Sequence, residues 1–412
     1  MTCFYAWSLF SYPDGFKTKM KPHHVRILKL GFWLFCLLFG LLLIVAPLLT
    51  GLLAKTEQMP FSFAEYLSYV DTAQAFMMRA FGFVWVFFFG SCFASFLNVV
   101  AWRVPRSRGI NGSSMCPYCH TKLGFLDNIP IAGWIRIGGK CRTCKLPVSP
   151  RYLIVELLLG TIFVSFYVVQ ILLGGINLPI REIDNLTGFE HLVFSPNWNL
   201  IQLTVYHLIL ICLLFTFTLI KSERLKIPIS IFFVGLLLGI GLPLIWPSML
   251  LVSWQIGVNQ LFSLDRLSTN QLLTIAMGVL GGAGCGLLLS FGQSPTDTPE
   301  HQSPTITQSS HIPDLIAGMI LVGLFLGWQS AISVTTLFLV ILLTARIIGL
   351  RDNQLNLSTQ LLLVTLVHLM LWRITTWCQF WPSPTTGGTF FAVWALVLLL
   401  AAGASRLVWR PT

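Results

Sequence analysis

Apolar segments long enough to cross a bilayer recur about ten times along this chain, and they leave few folds open. They run roughly over 29–54, 76–101, 152–175, 199–220, 227–248, 271–291, 312–329, 331–348, 358–377 and 388–406. About 20 apolar residues in a helix cross the hydrocarbon core. Only helices and closed barrels satisfy the backbone there. The runs are continuous rather than alternating, so helices are expected. The chain is 55% hydrophobic and 10% charged, against about 25% charged for a soluble domain. A water-soluble globule is excluded, and the expected fold is an all-α polytopic membrane protein.

The loops set the orientation. Lys17, Lys19, Lys21, Arg26 and Lys29 precede the first span, and residues 102–151 hold Arg103, Arg106, Arg108, Lys122, Arg136, Lys140, Arg142, Lys145 and Arg151. Loop 176–198 is poor in Lys and Arg, then KSERLK (221–226), the stretch 346–351 and the tail RLVWRPT are basic again. Positive loops stay on the cytoplasmic side, which places both termini and the 102–151 loop in the cytoplasm. The same bias accounts for the net charge of +11, and no nucleic acid is expected as a partner. The partner implied by the spans is the lipid bilayer itself. GQSPTDTPEHQSPTITQSSH (292–311) has almost nothing to bury and reads as a flexible linker.

Ten cysteines are present. Six of them, Cys3, Cys36, Cys92, Cys212, Cys285 and Cys378, are scattered, mostly in apolar runs, where a thiol behaves as a small hydrophobe. The other four, Cys116, Cys119, Cys141 and Cys144, form two Cys-x-x-Cys pairs inside the 102–151 loop. Two such turns supply four thiolates at a spacing that suits tetrahedral zinc. Gly138 and Gly139 allow a tight turn before the second pair. The competing reading is two disulfides, which a cytoplasmic location disfavours. His120 adjoins a ligand position but is a bystander if four sulfurs fill the site.

GSCFASFLNVVAWRVPRSR (90–108), the two cysteine pairs bracketing DNIPIAGWIRIGGK, and KLPVSPRYLIVELLLG (145–160) follow one another in order. Together they resemble the N-terminal part of the prepilin leader peptidase/N-methyltransferase family. The resemblance implies a bacterial inner-membrane protein that acts on type IV prepilins or type II secretion pseudopilins. It implies removal of a short basic leader and methylation of the new N-terminus with S-adenosylmethionine as cofactor. It also implies a division of the chain. Residues 1–75 carry a basic segment, an extra span and an outer loop; 76–175 form the family-like N-terminal domain around the tetracysteine module. Residues 199–349 form a degenerate aspartic-peptidase-like membrane domain, and 350–412 form C-terminal membrane helices.

The peptidase half of that family uses two aspartates, one ionised to take a proton from water and one protonated to donate to the peptide carbonyl. Here the first position falls in LIKSERLKIP, where Lys221 stands in place of the aspartate and Glu223 is the local carboxylate, either a shifted catalytic partner or a solvated loop residue pairing with Lys or Arg. The second falls in HIPDLIAGMILVGLFLGW, where Asp314 lies one residue from the expected place, a rotation of about 100° on a helix. Asp314 is either a surviving acid or a helix N-cap. Asp314 and Glu223 are therefore the only catalytic candidates, and proteolysis is expected to be weakened or absent. The alternative readings are a pseudo-peptidase serving as a pilin-binding or assembly factor, or an unrelated polytopic scaffold with a zinc module.

Four further polar positions stand out. Glu156 inside the third span matches a family glutamate, or serves as an acid in a first helical turn. Asp127 before Asn128 and Pro130 reads as a turn residue. His207 and His368 read as separate intramembrane helix-contact residues. The Gly-rich LGGAGCG (280–286) reads as a site of close helix packing.

Overall fold

A computed structural model describes residues 69–184, 192, 195–252, 269–291, 314–347 and 356–377. The expected spans at 29–54 and 388–406 and the linker 292–311 lie outside the described residues. So do nearly all of segment 1–75 and much of segment 350–412.

Ten α-helices follow in chain order among the described residues: α1 (Tyr69–Arg103), α2 (Ala132–Arg136), α3 (Arg151–Phe166), α4 (Trp198–Ser222), α5 (Ile229–Ile245), α6 (Thr269–Phe291), α7 (Asp314–Leu326), α8 (Trp328–Ile347), α9 (Leu357–Met370) and α10 (Trp372–Trp377). A π-helical turn, Tyr167–Leu172, extends α3. The described part contains only two isolated β-bridges besides helices and turns. Four segments are long and apolar enough to cross a membrane: Met77–Arg106, Arg151–Leu172, Trp198–Ser222 and Asn270–Ser290. Shorter apolar helices occupy the expected spans at 227–248, 312–329, 331–348 and 358–377. The sequence expectation of about ten crossings is thus met by helices at eight positions, of which four have full spanning length.

Local chemistry sets the helix ends. Pro105 follows α1, and the chain tightens into a 3-10 turn over Val104–Arg106 before Ser107 enters the left-handed region at φ 54°. The Asn197 side chain caps α4 by accepting from the Leu200 N–H at 3.2 Å, a partner for one of the four orphan donors of a helix start. Pro228 sets the start of α5. Gly327, at φ 89°, separates α7 from α8 with a single residue, so a very short break does divide the two expected spans.

The central helix is α4. Its Tyr206, Leu210, Ile211, Leu214, Phe217 and Ile220 are fully buried, and it packs against α1, α3, α5, α7 and α9. Tyr206 stacks on Phe325 at 4.3 Å between ring centroids and donates its hydroxyl to the Gly239 carbonyl at 2.7 Å. By contrast α1 presents Phe81, Trp85, Phe88, Phe89 and Phe96 outward at helical spacing, as a lipid-facing stripe would.

Small residues set the two closest helix crossings. Gly90 of α1 meets Gly160 and Phe163 of α3. On α6, Gly278, Gly282 and Gly286 repeat every fourth residue and lie against Gly323, Met319 and Ile316 of α7. A Cβ at Gly282 would sit 2.2 Å from the Met319 carbonyl oxygen, so the backbones touch, as small residues permit in membranes. Gly284, on the same helix, has open space around it. Opposite effects are therefore expected from one substitution. Gly282→Ala forces two backbones apart and lowers the melting temperature in detergent. Gly284→Ala raises stability by roughly 0.5–1 kcal/mol, because alanine loses less entropy in a helix. Equal effects in thermal melts would contradict this packing.

Candidate metal centre and the charged pairs beside it

The loop between α1 and α3 folds around two knuckles of the same design. In the first, the Cys116 N–H donates to the Thr121 carbonyl and the His120 N–H donates to the Cys116 carbonyl, both at 3.0 Å. In the second, the Cys141 N–H donates to the Leu146 carbonyl at 2.9 Å and the Lys145 N–H to the Cys141 carbonyl at 3.0 Å. A β-bridge closes each, Met115 with Lys122 and Lys140 with Pro147. The residue after each second cysteine turns left-handed, His120 at φ 55° and Lys145 at φ 59°. Gly138 and Gly139, at φ 62° and 67°, make the turn ahead of the second knuckle, and the Trp134 ring lies where a Cβ of Gly139 would be. His120 thus sits at the left-handed turn of its knuckle's backbone.

The knuckles face each other. Cys116 and Cys144 Sγ atoms are 3.8 Å apart, as are those of Cys119 and Cys141. All four lie within 4.8 Å of one another. A tetrahedral ion with metal–sulfur bonds of about 2.3 Å requires sulfur–sulfur edges of about 3.8 Å, so the donor set fits one metal ion. The cysteines are free thiols rather than disulfides. Metal binding needs thiolates; two of the four thiols are held toward that form, whereas, despite a main-chain hydrogen bond from Leu146, burial and the neighbouring sulfurs push Cys144 up to about 11. Hydrogen bonds with the Thr121 side chain and main chain hold the Cys119 thiol down to about 6. The main-chain N–H groups of Cys144 and Thr143 lower that of Cys141.

Two contacts brace this insert internally and a third seats it on α3. Asp127 pairs with Arg142, next to Cys141, at 2.7 Å, and thereby ties the turn to the second knuckle. The Trp134 indole N–H donates to the Val148 carbonyl at 3.3 Å. The Ile131 N–H donates to Glu156 Oε2 of α3 at 2.7 Å. Ile131 has φ 63° and ψ −59°, and the Ala132 N–H closes on the Pro130 carbonyl at 2.6 Å. This is a γ-turn of the positive-φ kind, rare and strained, here carrying a β-branched residue. Glu156, 6% exposed, therefore anchors the insert.

The two catalytic candidates each have their own cations. Lys221, in the last turn of α4, pairs with Asp314, the first residue of α7, at 2.7 Å. Lys221, at the first position that the resemblance assigns to a catalytic acid, and Asp314, one residue from the second, thus meet in space as an ammonium and a carboxylate. Glu223, just past α4, takes Arg106 at 2.8 Å and also Arg151. Arg106 lies just before the insert and Arg151 just after it. Arg151 also donates to the Leu219 carbonyl at 3.1 Å. Arg103 turns back to the Ile110 and Asn111 carbonyls at 2.8 and 2.9 Å and folds the start of the loop. Sequence reasoning named Arg106, Arg151 and Lys221 as basic loop residues and offered Glu223 a pairing with Lys or Arg, without identifying which cations it meets. The only signal was the lone Glu223 amid cations.

His207 and His368, expected to stand apart, share one buried cluster. Both are fully buried, and both rings lie against Trp372, at 5.7 and 5.4 Å between centroids. His207 Nδ1 is 3.0 Å from Gln170 Nε2 and 3.3 Å from Gln170 Oε1. The amide of Gln170 is a polar partner that hydropathy alone did not single out.

Residues 88–170, which include all four clustered cysteines and Glu156, match the Bacterial Peptidase A24 N-terminal domain. A prepilin leader peptidase/N-methyltransferase from Myxococcus xanthus is 44% identical over 81 residues, covering 19% of this chain and 24% of that protein. Its namesake from Klebsiella pneumoniae is 40% identical over 92 residues, covering 20% and 40%. The one from Vibrio cholerae is 36% identical over 110 residues, covering 24% and 41%. The chain thus spans less than half the length of each of these relatives. No solved structure matches it.

Proposed function

We propose that this chain, which carries a Bacterial Peptidase A24 N-terminal domain over residues 88–170, is a prepilin peptidase-like integral membrane protein that engages type IV prepilins or type II pseudopilins without cutting them. The observation that carries the loss of cutting is the contact between Lys221 and Asp314. Peptide hydrolysis by an acid pair needs one carboxylate to accept a proton from water and another to donate one. A lysine ammonium has three donors and no acceptor, so it cannot take the first role. In contact with Asp314 it also occupies the carboxylate that would take the second. Glu223 is engaged by two arginines and is a clasp in this reading, not a catalytic acid.

The four cysteines hold a structural zinc ion in this proposal, closed to substrate because all four positions are protein sulfurs. The alternation of basic and neutral loops supports an inner-membrane protein with this insert in the cytoplasm. There it would meet the basic leader of a prepilin whose apolar segment stays in the bilayer.

The test is the full-length protein, purified in detergent, incubated with prepilins of the same organism, with S-adenosylmethionine present so that methyl transfer is read in parallel. The expected result is co-purification of prepilin with no leader removal. Leader removal that disappears in Asp314→Ala would establish a working peptidase and overturn the proposal. Removal that persists in Asp314→Ala would show a cutting centre elsewhere, and the proposal would fall as well.

A further inference from the structure

The insert carries a surface that neither the metal nor the peptidase reading uses. Phe125 is 85% exposed, and Leu126, on the same 3-10 turn, and Ile135, on α2, are exposed too. The turn and α2 pack on one another, with the Asp127 carbonyl against Gly133. Lys122, Arg136 and Arg142 flank the three apolar residues in the chain or through the Asp127 pair, and Asp127 is the sole acid between residues 102 and 151.

The depth of this surface is fixed by the Glu156 contact. Glu156 lies five residues into α3, which starts at Arg151, or about 7.5 Å along the axis at 1.5 Å per residue. Arg106, Arg108 and Arg151 mark the boundary at that end, and the Arg106 and Arg108 guanidiniums lie 5.1 and 4.9 Å from the Trp102 ring centroid. A Trp flanked by cations is an interfacial anchor. The headgroup layer is roughly 5–8 Å thick on each side. The Glu156 side chain leans back toward the start of α3, as helical side chains do, so the Ile131 N–H bonded to it lies within the depth of that layer.

We infer that residues 125–135 form a re-entrant tip that rests in the lipid headgroup layer, with Phe125, Leu126 and Ile135 among the upper acyl chains and Lys122 and Arg136 on the phosphates of anionic lipids, while Arg142 neutralises Asp127. Non-helical backbone at that depth is tolerated where protein satisfies its polar groups, and Glu156 does so for Ile131. Charge complementarity selects the anionic lipid: six cations and one acid lie between residues 107 and 149, and basic residues are drawn to a negatively charged leaflet.

Trypsin cuts after Lys122 and Arg136, so the tip falls out as peptide 123–136. The full chain is placed in nanodiscs containing a lipid with a photoactivatable diazirine near the top of its acyl chain. One set has phosphatidylglycerol and the other only phosphatidylcholine. Peptide 123–136 is expected to be labelled in the anionic discs, with several-fold less label in the zwitterionic discs. Phe125→Ser combined with Leu126→Ser should also lower the label several-fold. Peptide 80–103, with the lipid-facing stripe of α1, should stay labelled throughout and shows that the variant is folded in the bilayer. An unlabelled tip beside a labelled α1, or label indifferent to the double substitution, overturns the insertion. Equal label in both lipid sets overturns the anionic preference.

Discussion

Cys141→Ser is expected to empty the metal centre of the full-length protein. Wild-type protein should retain about one zinc ion per chain after dialysis against a weak chelator, whereas the variant should retain less than about a tenth. The size of the effect follows from the site's construction. Structural zinc in small modules is bound with roughly 10–16 kcal/mol at neutral pH, and nearly all of it depends on four thiolates at one tetrahedral point. A serine hydroxyl is a poor substitute for a soft anionic sulfur. The two knuckles have few apolar contacts of their own, since only Cys116 and Cys141 of the insert's cysteines and apolar residues are buried. Loss of the ion should therefore loosen the insert, and limited trypsin should cut faster after Lys140, Arg142 and Lys145. Cys212→Ser, which changes a sulfur inside α4 far along the chain from the knuckles, is the control and should keep the zinc. A Cys141→Ser protein with full zinc, or wild-type protein that is metal-free with a protease-resistant insert, would refute the assignment.

Glu223→Ala should be the most damaging single change among the charged residues. Glu223 is 18% exposed and joins Arg151, 14% exposed, and Arg106, 30% exposed. Its removal leaves two guanidiniums side by side with no counter-charge. Breaking a fully buried pair in this way costs 3–5 kcal/mol. Partial exposure reduces that here to about 2–3 kcal/mol, because solvent screens the pair. Arg106 ends the approach to the insert and Arg151 opens α3, so the carboxylate also clasps the base of the loop to α4. The expected readouts are a melting temperature several degrees lower in detergent and faster proteolysis of residues 107–149. Arg106→Ala combined with Glu223→Ala should cost less than the sum of the two alone, as coupled neighbours do. Unchanged melting and unchanged proteolysis in Glu223→Ala would remove the clasp from the account. The same variant separates this role from catalysis, since a clasp affects stability whether or not any prepilin is cut.

The helices were legible because hydropathy is a property of each segment alone, and eight of the ten expected spans coincide with helices in the described residues. Their lengths were less legible. Asp314–Leu326 and Leu357–Met370 are shorter than their apolar runs, since Gly327 and the neighbouring turns end them for reasons of local backbone shape. The tetracysteine module was legible because Cys-x-x-Cys is a local turn whose second half repeats the first. The histidines were misjudged as solitary. His368 lies four residues before Trp372 and meets it locally, and only the packing of α4 brings His207 to the same ring.

What the sequence determined by itself was the membrane class, the position of the helices and the four-sulfur set, since each depends on residues within one turn or one span. The partners of the charges were decided by the tertiary structure. Glu223 could have matched any of the surrounding cations, and it reaches Arg106 across 117 residues and Arg151 across 72 because three helix ends converge there. Lys221 and Asp314 were two separate departures from a motif in the sequence, and α4 and α7 make them a single ion pair. The contact of the 125–135 turn with α3 was likewise set by one long-range bond, from the Ile131 N–H to Glu156. Pairing between distant segments depends on how the helices cross, and here glycine contacts between backbones set the closest of those crossings.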